Sequence, residues 1–87
     1  MTISPWSISP HEWVNTRVKS LSIRFGERIR ELRKGLDLSQ EEFADLCGFD
    51  RTYVSGIERG VRNPSLSAIE TLAKSLRVSA GQLFDGL

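Results

Sequence analysis

Apolar positions in this chain recur at intervals of three and four, broken by serines, glycines and prolines that punctuate short helices. Val14, Val18, Leu21, Phe25, Ile29, Leu32 and Leu36 fall on one helical face. Ser20, Ser22 and Gly26 are weak helix formers in the middle of that run. The pattern therefore predicts a short leading helix, a break near Ser20 to Ser22, and a first domain helix ending near Gly35. The leading helix has its own start signal in Ser9, Pro10 and Glu12: a serine cap, proline at the first helical position and glutamate three residues after the cap. Residues 1–8, rich in serine and ahead of any apolar stripe, are expected to form a flexible tail, with 9–21 helical.

Ser39 and Glu42 form a second capping box, and Phe43, Leu46 and Cys47 are the expected buried stripe of a helix barely two turns long. Gly48 can take the left-handed conformation that ends it, and Asp50 can cap a third helix running to about Arg59 before Gly60. After the loop VRNPS, Ser65 caps a helix with Leu66, Ile69, Leu72, Ala73 and Leu76 inward, and Ser79 caps a last turn or two carrying Leu83 and Phe84. No stretch alternates with period two, so no strand is expected.

Composition narrows the class. With 87 residues, 39% of them hydrophobic, the chain has material for one small core. A single cysteine, Cys47, excludes a disulfide scaffold, and no apolar run reaches membrane-spanning length. The start MTISPWSISPHEW has neither a basic segment nor a continuous apolar one, so the expected location is cytoplasmic. Net charge is only +1, yet arginines gather in two groups, Arg24, Arg28, Arg30 and Arg33 on one segment and Arg51, Arg59 and Arg62 on another. Clustering shapes the local field more than the sum does.

The second group lies on a helix with an unusual division of faces. At about 100° per residue, Val54 and Ile57 fall on one side and Thr52, Ser55, Gly56 and Arg59 on the other. A helix with two committed core residues contributes little packing, whereas its polar face suits a major groove about 12 Å wide. Ala44 on the preceding helix is small enough for a close, steep crossing. Two short helices joined by a glycine turn, the second polar on its outer face, describe a helix-turn-helix.

The segments RFGERIRELRKGLDLSQEEFADLCGF, DRTYVSGIERGVRNPSL and AIETLAKSLRVSAGQLF, in that order across residues 24–84, resemble the lambda-repressor-like (Cro-type, XRE) helix-turn-helix regulators. Within that family, DRTYVSGIERG followed by RNPSL is similar to the controller proteins of restriction-modification systems. The resemblance implies an all-α domain of five helices over residues 22–87, a homodimer through the last helix, and a palindromic or repeated operator in double-stranded DNA. It implies base-reading by Arg51, Thr52 and Ser55. Gln40 matches a phosphate-contacting position, and Tyr53, Arg59, Arg62 and Asn63 belong with backbone or adjacent-base contacts. Arg33 and Glu58 match an ion pair between the first helix and the end of the third. The N-terminal extension, 1–21, departs from the pattern.

Plainer roles compete with these. Tyr53 can equally pack its ring on the neighbouring helix with its hydroxyl in water. Trp6 and Trp13 either pack on the domain or a partner subunit, or stay exposed. Arg24, Arg28, Arg30 and Arg33 interleave with Glu27 and Glu31, which predicts a solvated face with pairs inside the helix. Leu83, Phe84 and Leu87 could close the core, but on a terminal stub they are expected to form the dimer seam. An enzyme is disfavoured: His11 has no partner at metal-ligand spacing, Cys47 has no base in prospect, and no glycine loop cradles phosphate, so neither metal nor cofactor nor small-molecule substrate is expected. An antitoxin-like protein-interaction module is the alternative, because fold does not fix function.

Overall fold

A computed structural model describes residues 19–87, and expectations for residues 1–18 lie outside it. The described residues form five helices and no strand: α1 Leu21–Gly35, α2 Gln40–Cys47, α3 Arg51–Glu58, α4 Leu66–Leu76 and α5 Ala80–Phe84. Each begins where a short polar side chain takes up an orphan amide of the first turn. Ser20 caps α1, and so the expected break near Ser20 is where this helix starts. Ser39 and Glu42 make both halves of a capping box on α2, at 3.0 and 2.9 Å. Asp50 caps α3, Ser65 caps α4, and Ser79 with Gln82 repeats the capping box on α5. Gly48 (φ +74°) ends α2 in the left-handed region, where a Cβ would be strained.

The core joins all five helices through Phe25, Ile29, Phe43, Val54, Ile57, Leu72 and Leu83. α1 lies across the back of α3. At their crossing, a Cβ added to Gly26 would meet the Ile57 carbonyl oxygen at 2.2 Å and that of Glu58 at 2.6 Å. Ala44 of α2 is buried, and α2 packs on both α3 and α4.

Five apolar positions depart from their expected places, the first being Leu21, which opens α1 ahead of its packed turns and is half exposed. Leu46 is exposed, because α2 is aimed by Phe43 and Ala44 and a residue two places beyond Ala44 turns to the opposite side. Leu66 is exposed because it is the first residue of α4, ahead of the packed turns. Leu36 sits at the C-cap of α1, where the chain turns away through Asp37 at φ +57°, and is also exposed. Leu83, expected in the seam, is completely buried in the core of its own protomer.

The arginines of α1 also act differently from the intrahelical pairs expected of them. Glu27 pairs with Lys19 at 3.1 Å. Arg28 donates to the carbonyls of Gln82 and Asp85, both at 2.8 Å, and Arg24 to those of Lys19 and Leu87. A five-residue helix leaves most of its carbonyls without an intrahelical partner, and Arg28 of α1 supplies a donor to that of Gln82 and to the C-cap carbonyl of Asp85.

Candidate nucleic-acid interface

α3 presents its polar face because its apolar one is consumed by Val54 and Ile57, both in the core. Arg51, its first residue, is exposed. Thr52 is also exposed, but its hydroxyl donates to Asp50 Oδ1 at 2.6 Å, beside the Thr52 amide at 2.8 Å. The hydroxyl oxygen keeps lone pairs that can accept from a base amino group, while its proton stays on Asp50. Ser55 is half-buried one turn further on.

Tyr53 is half-buried, edge-on to the Phe49 ring at 5.1 Å between centroids, with the Arg62 guanidinium 5.9 Å over its face. The ring packs, as the plainer of the two roles for Tyr53 has it, and the exposed Arg62 is held against it. Gly56, placed by helical rotation on the outer face, is instead buried beneath the stem of Arg62; a Cβ there would meet Arg62 Cγ at 2.4 Å. The absent side chain lets the loop arginine lie along α3. Arg59 is exposed at the C-cap. Asn63 accepts a hydrogen bond from the Ser22 hydroxyl at 3.0 Å, which ties the loop to the start of α1.

Behind this surface, Arg33 and Glu58 form a fork-to-fork ion pair, Nε to Oε2 at 2.7 Å and Nη2 to Oε1 at 3.0 Å, with both residues buried. Arg33 Nη1 also donates to the Leu38 carbonyl at 2.7 Å. Gln40 is half-buried at the start of α2, and its Nε2 donates to Glu58 Oε1 at 3.1 Å. Sequence reasoning assigned Gln40 only an outward contact. A glutamine eighteen residues from a glutamate carries no local signal of that bond.

Two caps carry perturbed carboxyls. Hydrogen bonds from the Thr52 hydroxyl, then its amide, hold Asp50 below the usual aspartate value, and the Ser39 amide, then its hydroxyl, does the same for Glu42. A depressed folded-state value means stabilisation present above the unfolded value and lost as pH falls through the folded one. Between about pH 5 and pH 2 the wild type should lose more stability than Asp50→Asn/Glu42→Gln, whose amides still cap but do not titrate. Urea midpoints across that range check this; parallel curves would show that the caps are not coupled to protonation. Burial pushes the Cys47 thiol up, partly offset by Ser75, which makes it a poor nucleophile.

Residues 29–83 match the family described as Helix-turn-helix. The chain belongs to this family, in its XRE-type branch. It is 42% identical to Control protein C.MunI of a Mycoplasma species over 71 residues, covering 80% of this chain and 96% of that protein. The solved structure of the restriction-modification controller protein C.AhdI from Aeromonas hydrophila superposes with a TM-score of 0.70 at 52% identity, covering 71% of this chain and 94% of that one. Controller protein C.Esp1396I, solved as a tetramer with its natural 35 base-pair operator, superposes with a TM-score of 0.70 at 34% identity, covering 78% and 90%. The two solved controller proteins share the fold of α1 to α5. Among the described residues no helix is long and apolar enough to cross a membrane.

Proposed function

We propose that this protein is a sequence-specific transcriptional regulator that binds a palindromic or repeated operator as a homodimer, in the manner of a restriction-modification controller, and regulates its own gene from the cytoplasm. The observation that carries this is the outer face of α3, where exposed Arg51 and Thr52 and half-buried Ser55 share one short helix with Arg59 and an Arg62 laid alongside. Arginine pairs bidentately with guanine in the major groove, the Thr52 hydroxyl can accept from a base, and the Ser55 hydroxyl can accept or donate. Residues 22–87 serve as the binding and dimerisation domain, with the extension before them. The activity is binding rather than catalysis, and it requires no metal or cofactor. Selection of bound sites from random duplexes, followed by a search upstream of the protein's own gene, tests the proposal. An enriched two-fold motif found there is the expected result; no enriched motif would instead favour the interaction module.

Arg51→Ala should weaken operator binding by roughly 1 to 3 kcal/mol while changing random-duplex binding little, flattening preference at one base pair per half-site. Titration against operator and scrambled DNA decides it: equal losses on both, with base preference intact, would make Arg51 a backbone contact.

The dimer is proposed to form through α5, with a seam shifted by the burial of Leu83. Phe84 is 38% exposed while stacking on Phe25 at 5.0 Å, and it borders a shallow groove of about 130 Å³ with Leu21, Ile69 and Pro64. Leu87 packs partly on its own core, leaving Phe84 the larger free surface. Phe84→Glu should give a folded monomer with much weaker operator binding. Sedimentation of the wild type as a monomer at tens of micromolar, well above typical specific affinities, would overturn the seam.

A further inference from the structure

We infer that Glu58 is a positioning residue for Gln40, so that the buried ion pair presets the phosphate contact as well as stabilising the fold. The inference rests on the proposal that this face binds duplex DNA. Glu58 is the last residue of α3 and Gln40 the first of α2, so their 3.1 Å bond closes the open side of the two-helix motif. The same Glu58 Oε1 accepts from Arg33 Nη2 at 3.0 Å, and Arg33 reaches the carbonyl of Leu38, two residues before Gln40. One guanidinium thereby fixes the approach to α2, and through Glu58 the side chain at its first position. Among the described residues no buried side-chain polar atom lacks a partner, so the buried part of this network is satisfied.

A glutamine amide nitrogen carries two hydrogens. The Glu58 bond uses one and leaves the other for a phosphate oxygen. A free glutamine would lose several rotamers on binding DNA, whereas this one is already ordered in the unbound protein. Arg33 is essential to the arrangement. Without its charge, an ionised Glu58 behind the contact would repel the phosphate that Gln40 is to hold.

The test is a double-mutant cycle on DNA binding. Replacing both members of the ion pair, Arg33→Met/Glu58→Leu, avoids a lone buried charge and is compared with Gln40→Ala and with the triple variant. Gln40→Ala in the wild-type background should weaken operator and scrambled duplex alike, roughly threefold to tenfold, since a phosphate is the same at every step. Its salt slope should be nearly unchanged, because a neutral side chain releases no counterion. In the Met/Leu background the same substitution should cost less than about twofold. An equal cost in both backgrounds overturns the inference. Wild type that binds no duplex overturns the functional proposal instead, whatever the cycle gives.

Should the Met/Leu variant fail to fold, the wild type alone decides. Nuclear magnetic resonance of the free protein should show two well-separated Gln40 Nε2 protons with contacts to the Glu58 side chain. Averaged resonances without such contacts would overturn the inference.

Discussion

Gly26→Ala is expected to lower the melting temperature by on the order of 15 °C or more, although on intrinsic helix propensity alone it should stabilise α1 by about 1 kcal/mol. The sign reverses because the added methyl would lie 2.2 Å from the Ile57 carbonyl oxygen and 2.6 Å from that of Glu58. These are backbone atoms at the end of α3 and cannot rotate aside. Relief requires α1 and α3 to separate, and their contact includes Phe25, Ile29, Val54 and Ile57. Overpacking of a tight core costs 1 to 3 kcal/mol in ordinary cases, and a clash with main chain belongs at or above the upper end, about 3 kcal/mol or more. A domain this small has roughly 5 kcal/mol to lose. Thermal melting by circular dichroism checks it; a variant melting at or above the wild-type temperature would show that the helices do not approach this closely.

Arg33→Ala and Glu58→Ala should each destabilise by about 3 to 5 kcal/mol, because each strands the opposite charge in a site where both residues are less than a tenth exposed. For a domain of this size that is a fall in melting temperature on the order of 20 °C. Arg33→Met/Glu58→Leu should recover most of the loss, since replacing a buried pair by apolar side chains of similar volume is often near neutral. Calorimetry on the three variants separates the cost of an unpaired charge from the worth of the pair. A double variant no better than the singles would mean that the Leu38 carbonyl, which also needs Arg33, dominates.

Much of this was legible in the chain because its cause is local. Ser39, Asp50, Ser65 and Ser79 bond amides two or three residues away, and Gly48 takes its left-handed turn directly after α2. Such signals survive without a partner, so the helix starts could be placed to within a residue or two. The outward placement of Arg51 and Thr52 was legible for a related reason: Val54 and Ile57 take up the apolar side of α3 and leave those two exposed. Gly56 was misplaced because rotation about one helix axis takes no account of a loop arginine returning over it.

The sequence by itself determined an all-helical domain, its capped helix starts, the glycine turn between α2 and α3, and a polar face on the second of them. Tertiary structure alone decided which apolar side chains would be covered: Leu83 entered the core while Leu46 and Leu66 stayed in water. It alone decided that Arg24 and Arg28 would hold the carbonyls at the far end of the chain, and that Gln40 would join the Arg33 and Glu58 pair. The physical reason is one of range. A cap or a helical stripe is stabilised by neighbours within about four residues, so the sequence contains both partners in register. A buried carboxylate or an orphan carbonyl is satisfied by whichever donor the folded chain brings within 3 Å, and that depends on how the helices cross.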